Sequence, residues 1–263
     1  MSGETFAYQI EGDAQNKTVV FIHGWPDDGR MWEPQSSVLR AHYRCVLVTL
    51  PNFGERADKP GGYDFAQLVE GLKRTLDEVC PAGEPVYLVT HDWGAYIGYL
   101  FERDYPQRVE KMVALDIGGH TRPTGFKAIG FIVGYQWTLI ACWLLGGLIP
   151  PLGNGLARGL GRVLQLAGQR SARIRSRFNY PYFYLWKDLL LPWRRQNLLR
   201  SYIPQCPVLF IYGERKPVMF HSEQWLETLE SRGGHWEGVE GGTHWFMETH
   251  PEPVNQWIHQ WFS

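Results

Sequence analysis

The 263-residue sequence contains only four cysteines, and no two of them form a Cys-x-x-Cys pair. Scattered cysteines argue against a disulfide framework and against a metal site. The net charge at neutral pH is only −1, so the chain lacks the positive surplus that general binding to nucleic acid requires. The first residues are polar, which is not typical of a signal peptide. We therefore expect a cytoplasmic protein with no metal and no nucleic-acid partner.

Acidic residues are almost missing between residues 120 and 200. This stretch has twelve Lys and Arg against one acid, Asp188, whereas the remainder has fourteen basic and twenty-six acidic residues. Residues 128–157 carry no charge at all, and that length could cross a bilayer. Glycines and Pro150-Pro151 interrupt them, so we expect apolar helices over a lipophilic pocket. Beside the arginine-rich residues 158–177, the region also suits peripheral membrane contact, the alternative being a solvated basic face.

Short apolar runs alternate with helical patterns over the first 120 residues. Residues 65–79 have the apolar spacing of a helix. This alternation favours a mostly parallel sheet with helices on both faces. We predict an α/β core in two parts, residues 1–118 and 204–263, separated by an inserted helical cap at 119–203. The runs typical of buried strands lie at residues 18–22, 45–50, 86–89, 111–117 and 207–212.

The residues around Asp92 predict a strand, a sharp turn and a helix. The strand at 86–89 is followed by His91-Asp92-Trp93-Gly94 and then by helical spacing as far as Pro106. This is the setting of a nucleophile elbow, in which one side chain projects from a strained turn beside a helix N-terminus. A carboxylate there needs no base to attack carbon, and it would form an alkyl-enzyme ester that water then hydrolyses. The alternative is that Asp92 is an ordinary helix N-cap.

The chain resembles the α/β-hydrolase family over nearly its whole length, because four motifs of that family occur in it in the family's order. The elbow sequence and the position of the cap resemble the subgroup of epoxide hydrolases and haloalkane dehalogenases, which have an Asp nucleophile. The resemblance implies an α/β-hydrolase fold, no cofactor, Asp92 as nucleophile and His244 as general base. It also implies an oxyanion hole made by the backbone N–H groups of Trp25 and Trp93. The motifs are His23-Gly24-Trp25-Pro26, Leu50-Pro51-Asn52-Phe53-Gly54 with Asp58-Lys59-Pro60, the elbow, and Gly242-Thr243-His244.

The acid of the triad is where this sequence departs from the family. The usual pattern after the strand at 207–212 is Gly-x-x-Asp, but here Lys216 occupies the Asp position. Some members instead carry the acid at the end of the strand that follows the elbow helix, where this chain has Asp116. We predict that Asp116 is the acid, with Glu214 as its competitor. The alternative role for Asp116 is a structural one at the strand end.

The resemblance also guides the choice of substrate. Haloalkane dehalogenases usually carry Asn at the position of Trp25, whereas an aromatic residue there resembles epoxide hydrolases. Epoxide hydrolases need cap tyrosines that donate to the epoxide oxygen, although tyrosine is also a common packing residue. We predict hydrolysis of an apolar epoxide to a diol, the alternatives being hydrolytic dehalogenation or, given Lys216, a catalytically silent binding protein. The candidate tyrosines are Tyr135, Tyr180, Tyr182 and Tyr184.

Overall fold

One seven-stranded sheet forms the centre of the molecule. The computed structural model describes residues 4–81, 83–121, 125–164, 166, 168–199 and 202–263. Its strands are β1 Ala7–Glu11, β2 Thr18–Ile22, β3 Arg44–Thr49, β4 Val86–His91, β5 Val109–Leu115, β6 Val208–Gly213 and β7 His235–Val239. They lie in the order β1-β3-β2-β4-β5-β6-β7, with β1 antiparallel to β3 and all other pairs parallel. The predicted α/β architecture with a mostly parallel sheet is confirmed.

Helices cover the sheet on both faces. Helix α2 has the bounds that its apolar spacing predicts, because a reciprocal capping box between Asp64 and Gln67 fixes its first turn. Its apolar face, including Leu68, Leu72 and Leu76, is fully buried against the core. The helices are α1 Glu33–Leu39, α2 Phe65–Val79, α3 Trp93–Asp104, α4 Phe126–Leu148, α5 Pro150–Val163, α6 Gly168–Arg173, α7 Tyr180–Leu190, α8 Glu223–Glu230, α9 Phe246–Thr249 and α10 Pro251–Phe262.

The order of the strands fixes where a site can form. Strand β2 lies between β3 and β4 in the sheet. The chain therefore runs from β2 to β3 in one direction across the sheet, and then from β3 past β2 to β4 in the opposite direction. Ligands of open parallel sheets bind at such a reversal, outside the carboxyl ends of the strands. Every residue of β2 and β4 is buried, which holds those two carboxyl ends rigidly. The segments that follow them contain Trp25 and Asp92.

Helices α4 to α7 lie between β5 and β6, where an insertion was expected. Its exact boundaries, residues 119–203, stay a prediction. Arginines tie these helices to the acidic core, since Arg170, Arg177 and Arg194 each form ion pairs with carboxylates of the core. The charge asymmetry therefore attracts the cap to the core. Arg122 and Arg200, and the Arg195 side chain, lie outside the described residues. The core partners are Asp27, Glu248, Asp58 and Asp64.

Candidate active site

Asp92 occupies a strained turn between β4 and α3. Its backbone has φ 53° and ψ −123°, a conformation that costs a non-glycine residue about 1–3 kcal/mol. The turn is so tight that a Cβ on Gly94 would overlap the carbonyl of Ile22. Only glycine therefore fits at this position. The Asp92 side chain makes no capping hydrogen bond to α3. The N-cap alternative is therefore not supported, and the carboxylate is free to point into the site.

The Asp92 carboxylate accepts a hydrogen bond from the backbone of the segment that follows β2. The Trp25 N–H donates to Asp92 Oδ1 at 2.6 Å. A Cβ on Gly24 would overlap both the Asp92 carboxylate and the Trp93 nitrogen, so these groups converge on one point. The structure thus brings together both predicted oxyanion-hole residues. Donors fixed in this way need no reorganisation when negative charge develops between them.

His244 lies between two carboxylates, in the loop after β7. Its Nδ1 is 2.5 Å from Asp116 Oδ2, and its Nε2 is 3.6 Å from Asp92 Oδ2. Asp116 directly follows β5 with a φ of 72°, and its carboxylate is fully buried. The competing candidate, Glu214, is exposed and lies beside Gly238 on β7. The three predicted triad residues therefore converge, and the acid that contacts His244 is Asp116.

The charges of this group perturb one another strongly. Burial acts to lower the pKa of His244, but the carboxylates of Asp116 and Asp92 outweigh it and raise the pKa to about 9. Burial acts to raise the pKa of Asp116, but the cations of Lys216 and His244 lower it to about 2. Near neutral pH, the Asp116 carboxyl is therefore ionised and the His244 imidazole beside it is protonated. Groups whose pKa values are driven apart in this way are typical of acid–base sites.

Lys216 belongs to this network, although the sequence suggested only that an acid was missing. Its ammonium group forms an ion pair with Asp116 Oδ1, and the Gly213 N–H donates to the same oxygen at 3.3 Å. The Lys216 side chain is only 3% exposed. Lys216 therefore neutralises the acid from the side opposite His244. The sequence offered one signal for this role of Lys216, which is that a cation occupies the position where the family usually has an anion.

A second histidine supports the loop that carries His244. His91 Nε2 bonds to the His244 carbonyl oxygen at 2.9 Å, and the two rings lie 4.4 Å apart. Burial and the nearby His244 cation lower the pKa of His91 to about 3, so its ring stays neutral. His91 is thus a buried positioning group for the loop. None of the hydrogen bonds in the described part of the chain joins His91 to the Asp92 carboxylate.

Two of the four candidate tyrosines, Tyr182 and Tyr135, are close enough to Asp92 for its charge to raise their pKa values. Burial raises the pKa of Tyr182, and the Asp92 charge raises it further. Burial raises the pKa of Tyr135 to about 12 against the opposing hydrogen bond from Gln136, and the Asp92 charge adds a smaller upward contribution. The rings of Tyr182 and Trp93 meet edge to face at 4.9 Å. The Tyr135 hydroxyl accepts from Gln136 Nε2 at 3.4 Å, which leaves its proton available to a ligand.

The other two tyrosines point elsewhere, which corrects their predicted role. The Tyr180 hydroxyl donates to the Pro51 carbonyl at 3.1 Å. The Tyr184 hydroxyl donates to the Gly61 carbonyl at 2.9 Å, near the surface. Both protons are therefore committed to the backbone of the core. These tyrosines fasten the cap and do not present a donor to Asp92.

The cap also fixes Trp25, through a residue that the sequence did not single out. The Trp25 indole N–H donates to Asn179 Oδ1 at 2.8 Å, and Asn179 Nδ2 donates to the Leu139 carbonyl at 3.1 Å. Trp25 and Trp93 are 5% and 7% exposed, whereas the Asp92 and His244 side chains keep 15% and 17% exposure. Within the described part of the chain, no cluster of three or more His, Cys, Asp or Glu could hold a metal ion.

The geometry defines what chemistry the site can perform. An ionised carboxylate at an elbow can displace a leaving oxygen or halide from carbon without help from a base. An imidazole that is bound to a second carboxylate can then accept a proton from water. The Asp92 charge also acts on the hydroxyls of two tyrosines, Tyr135 and Tyr182, which can donate a proton to a leaving oxygen. The arrangement therefore suits hydrolysis in two steps through an ester.

Comparison with known proteins agrees with the α/β architecture of the chain. Residues 19–257 match the alpha/beta hydrolase family. The chain is 31% identical to "Epoxide hydrolase srdG" of Neurospora crassa over 103 residues, which are 38% of this chain and 30% of that protein. Such matches cover only 30% to 38% of the length of three curated relatives.

Solved structures match over nearly the full chain. A variant of an epoxide hydrolase from Bacillus megaterium, solved with its diol product, aligns with a TM-score of 0.72 at 19% identity, over 98% of this chain and 96% of its own. A loop variant of the haloalkane dehalogenase from Bradyrhizobium elkanii has a TM-score of 0.72 at 18% identity, over 97% and 91%. At these identities the likeness shows the fold, and the predicted fold class is confirmed.

Proposed function

This chain belongs to the alpha/beta hydrolase family, and we propose that it hydrolyses epoxides of apolar substrates to diols, with Asp92 as nucleophile. One observation carries the proposal: a carboxylate at the elbow is hydrogen-bonded to the Trp25 N–H and lies beside His244, which Asp116 holds from the other side. The division into an α/β core and a helical cap is part of the same proposal. The substrate lies between Asp92 and the cap.

The first step opens the epoxide ring. An Asp92 oxygen attacks one ring carbon, and the bond between that carbon and the epoxide oxygen breaks. The electron pair of this bond stays on the oxygen, which takes a proton from Tyr135 or Tyr182. The product is an ester of Asp92 with the hydroxyl-bearing substrate. The tyrosine regains its proton from solvent before the next turnover.

The second step hydrolyses the ester. His244 accepts a proton from water, and the resulting hydroxide adds to the ester carbonyl of Asp92. The backbone N–H groups of Trp25 and Trp93 bind the oxyanion. When the intermediate collapses, the alcohol oxygen takes the proton held by His244 and the diol leaves. Asp92 then releases to solvent the proton that the hydroxide brought, which restores its carboxylate. Atoms balance with one water consumed for each epoxide.

The change in the charge of Asp92 explains how His244 serves as a base despite its raised pKa. In the free protein the carboxylates of Asp116 and Asp92 raise the pKa of His244 to about 9, although burial opposes them. Formation of the ester removes the charge of Asp92, so the pKa of His244 falls. The imidazole can then give up its proton and act on water. The nucleophile thus controls the base through electrostatics.

Hydrolytic dehalogenation is the second candidate, because an Asp nucleophile also displaces halides. A departing halide needs N–H donors, whereas the cap tyrosines whose pKa values respond to the Asp92 charge, Tyr135 and Tyr182, are O–H donors. This difference favours the epoxide. A silent binding protein is disfavoured, since Asp116 provides the acid contact that Lys216 could not.

The test compares two substrate classes on one purified protein. Terminal and internal alkyl epoxides are assayed for diol, and bromoalkanes of equal length are assayed for bromide. We expect diol release with little bromide, and loss of both in Asp92→Ala with the fold retained. Bromide release without diol would establish the dehalogenase instead. Turnover that survives Asp92→Ala would contradict the proposed nucleophile.

A further inference from the structure

Helix α4 is apolar on all its faces, yet most of it is not buried. It has 23 residues and no charged residue after Lys127, and the mean hydropathy of its most apolar 18-residue window is 1.7. Only 17% of that window is buried inside the protein. A helix that is apolar all round belongs in the core of a protein or in lipid. Since α4 is not in the core, another apolar phase must cover it.

The exposed apolar surface is concentrated where α4 turns into α5. We call five of the large exposed side chains there the hairpin tip. Away from the tip, α4 packs into the cap through the buried residues Leu139, Ile140 and Cys142. The tip residues are Leu144, Leu148, Ile149, Leu152 and Leu156, with exposed fractions of 52%, 82%, 54%, 46% and 46%.

We propose that the hairpin tip docks this protein on a lipid bilayer by entering its interfacial region. By length α4 could also cross a membrane. Crossing would strip α4 from α5 and break the hydrogen bond from Asn179 to the Leu139 carbonyl, which holds the cap over Trp25. Insertion of the tip alone keeps these contacts. The rest of α4 then lies along the membrane surface.

The exposed charges of the cap have the sign that attracts anionic headgroups. In the part of the cap that the structure describes, the exposed charged residues are Lys127, Arg162 and Arg173, all cations. Asp188, the only acid of the cap, is buried and paired with Arg194. A second copy on the same face would bring like charges together, because a two-fold interface pairs a patch with itself. A bilayer with anionic lipids fits both the apolar tip and its cationic surroundings.

The positions of the charges also limit the depth of insertion. The first charge after the tip is Arg158, eight residues beyond Pro150, or about 12 Å along α5. Interfacial helices bury their apolar side about 5–10 Å into the headgroup boundary, so no charge need enter the hydrocarbon. Asn154, a polar side chain near the tip, is already engaged with Ser176. The tip therefore carries little that lipid would leave unsatisfied.

Co-sedimentation with vesicles tests the proposal. The full chain is mixed with vesicles of phosphatidylcholine, alone or with a minority of phosphatidylserine, at low and high salt. We expect binding to both, stronger with phosphatidylserine at low salt, where charges are least screened. Leu148→Asp/Leu152→Asp should lower the bound fraction about tenfold without changing the unfolding temperature, since both side chains are exposed. The matched control is Val38→Asp, which alters a side chain with 51% exposure on α1 in the core and should bind like the parent protein.

Several outcomes would overturn the proposal. One is that the parent chain stays in the supernatant with both vesicle types. Another is that the double variant binds vesicles as well as Val38→Asp does. Sedimentation without lipid provides a further check. If the parent chain binds no vesicle and forms a dimer that the double variant does not form, a second copy of the chain covers the tip instead.

Discussion

Lys216→Met removes the cation that neutralises the buried Asp116 carboxylate. Asp116 is fully buried, and the Lys216 side chain is 3% exposed, so water cannot replace the lost partner without rearrangement. Removing one partner of a buried pair costs about 3–5 kcal/mol. Because His244 and the Gly213 N–H still bind Asp116, we expect the lower end, about 3 kcal/mol. In a chain of this size, that loss lowers the unfolding temperature by about 6–12 °C.

The same variant should change the behaviour of His244. With Lys216 gone, the charge of Asp116 is less neutralised and stabilises the imidazolium more strongly. The pKa of His244, already raised to about 9 by Asp116 and Asp92 against the effect of burial, should therefore rise further. The pH at which ester hydrolysis reaches half of its maximal rate should move upward. A purely structural role of Lys216 would lower stability without this shift.

Thermal unfolding and a single-turnover pH profile together measure both effects. The matched control is Arg215→Met, which removes an exposed cation from the neighbouring position. We expect little change in either measurement for the control. An unfolding temperature for Lys216→Met equal to that of Arg215→Met, with an unmoved pH profile, would refute the role assigned to Lys216.

Three further predictions follow from the site. His244→Gln should form the ester but not hydrolyse it, because it removes the base and keeps the nucleophile; mass spectrometry should show an adduct on the Asp92 peptide, and its absence with every active substrate would exclude the covalent route. Tyr182→Phe or Tyr135→Phe should slow epoxide opening about a hundredfold by removing a proton donor, whereas Tyr184→Phe, whose hydroxyl binds Gly61, should not; equal rates in all three variants would contradict the assignment. Because the folded pKa of His244 is raised to about 9, its contribution to stability is complete below pH 6.5 and is lost as pH rises through about 9. Denaturant titrations should show the parent losing about 3 kcal/mol more than His244→Gln between pH 6 and pH 10, and parallel losses would disprove the shift.

The fold was predictable where local and global signals agree. Helix α2 combines a capping box with one continuous apolar face, and its predicted bounds match the structure. The elbow at Asp92 has a buried strand before it and glycine after it, each with a steric reason. Strand β7, His235–Val239, was not predicted, because an edge strand with half-buried polar residues has no apolar run.

The site was predictable for residues that motifs define, but not for those that depend on orientation. Tyr180 and Tyr184 are four residues apart on α7 and share a face, whereas Tyr182 lies on the other side. The sequence cannot say which face meets Asp92, because tertiary packing decides it. Lys216 was interpreted only as the loss of an acid, since its partner is 100 residues away in the chain. Contacts between distant segments required the structure.

The fate of the water oxygen tests the central claim most directly. A single turnover of an epoxide, with protein in excess, is carried out in water enriched in ¹⁸O. If water attacks the Asp92 ester carbonyl, the label enters the Asp92 carboxylate, and the first diol carries unlabelled oxygen from the protein. We therefore expect a heavier Asp92 peptide by mass spectrometry and an unlabelled first diol. Label in the diol, with none in Asp92, would show direct attack of water on the epoxide and would contradict the account.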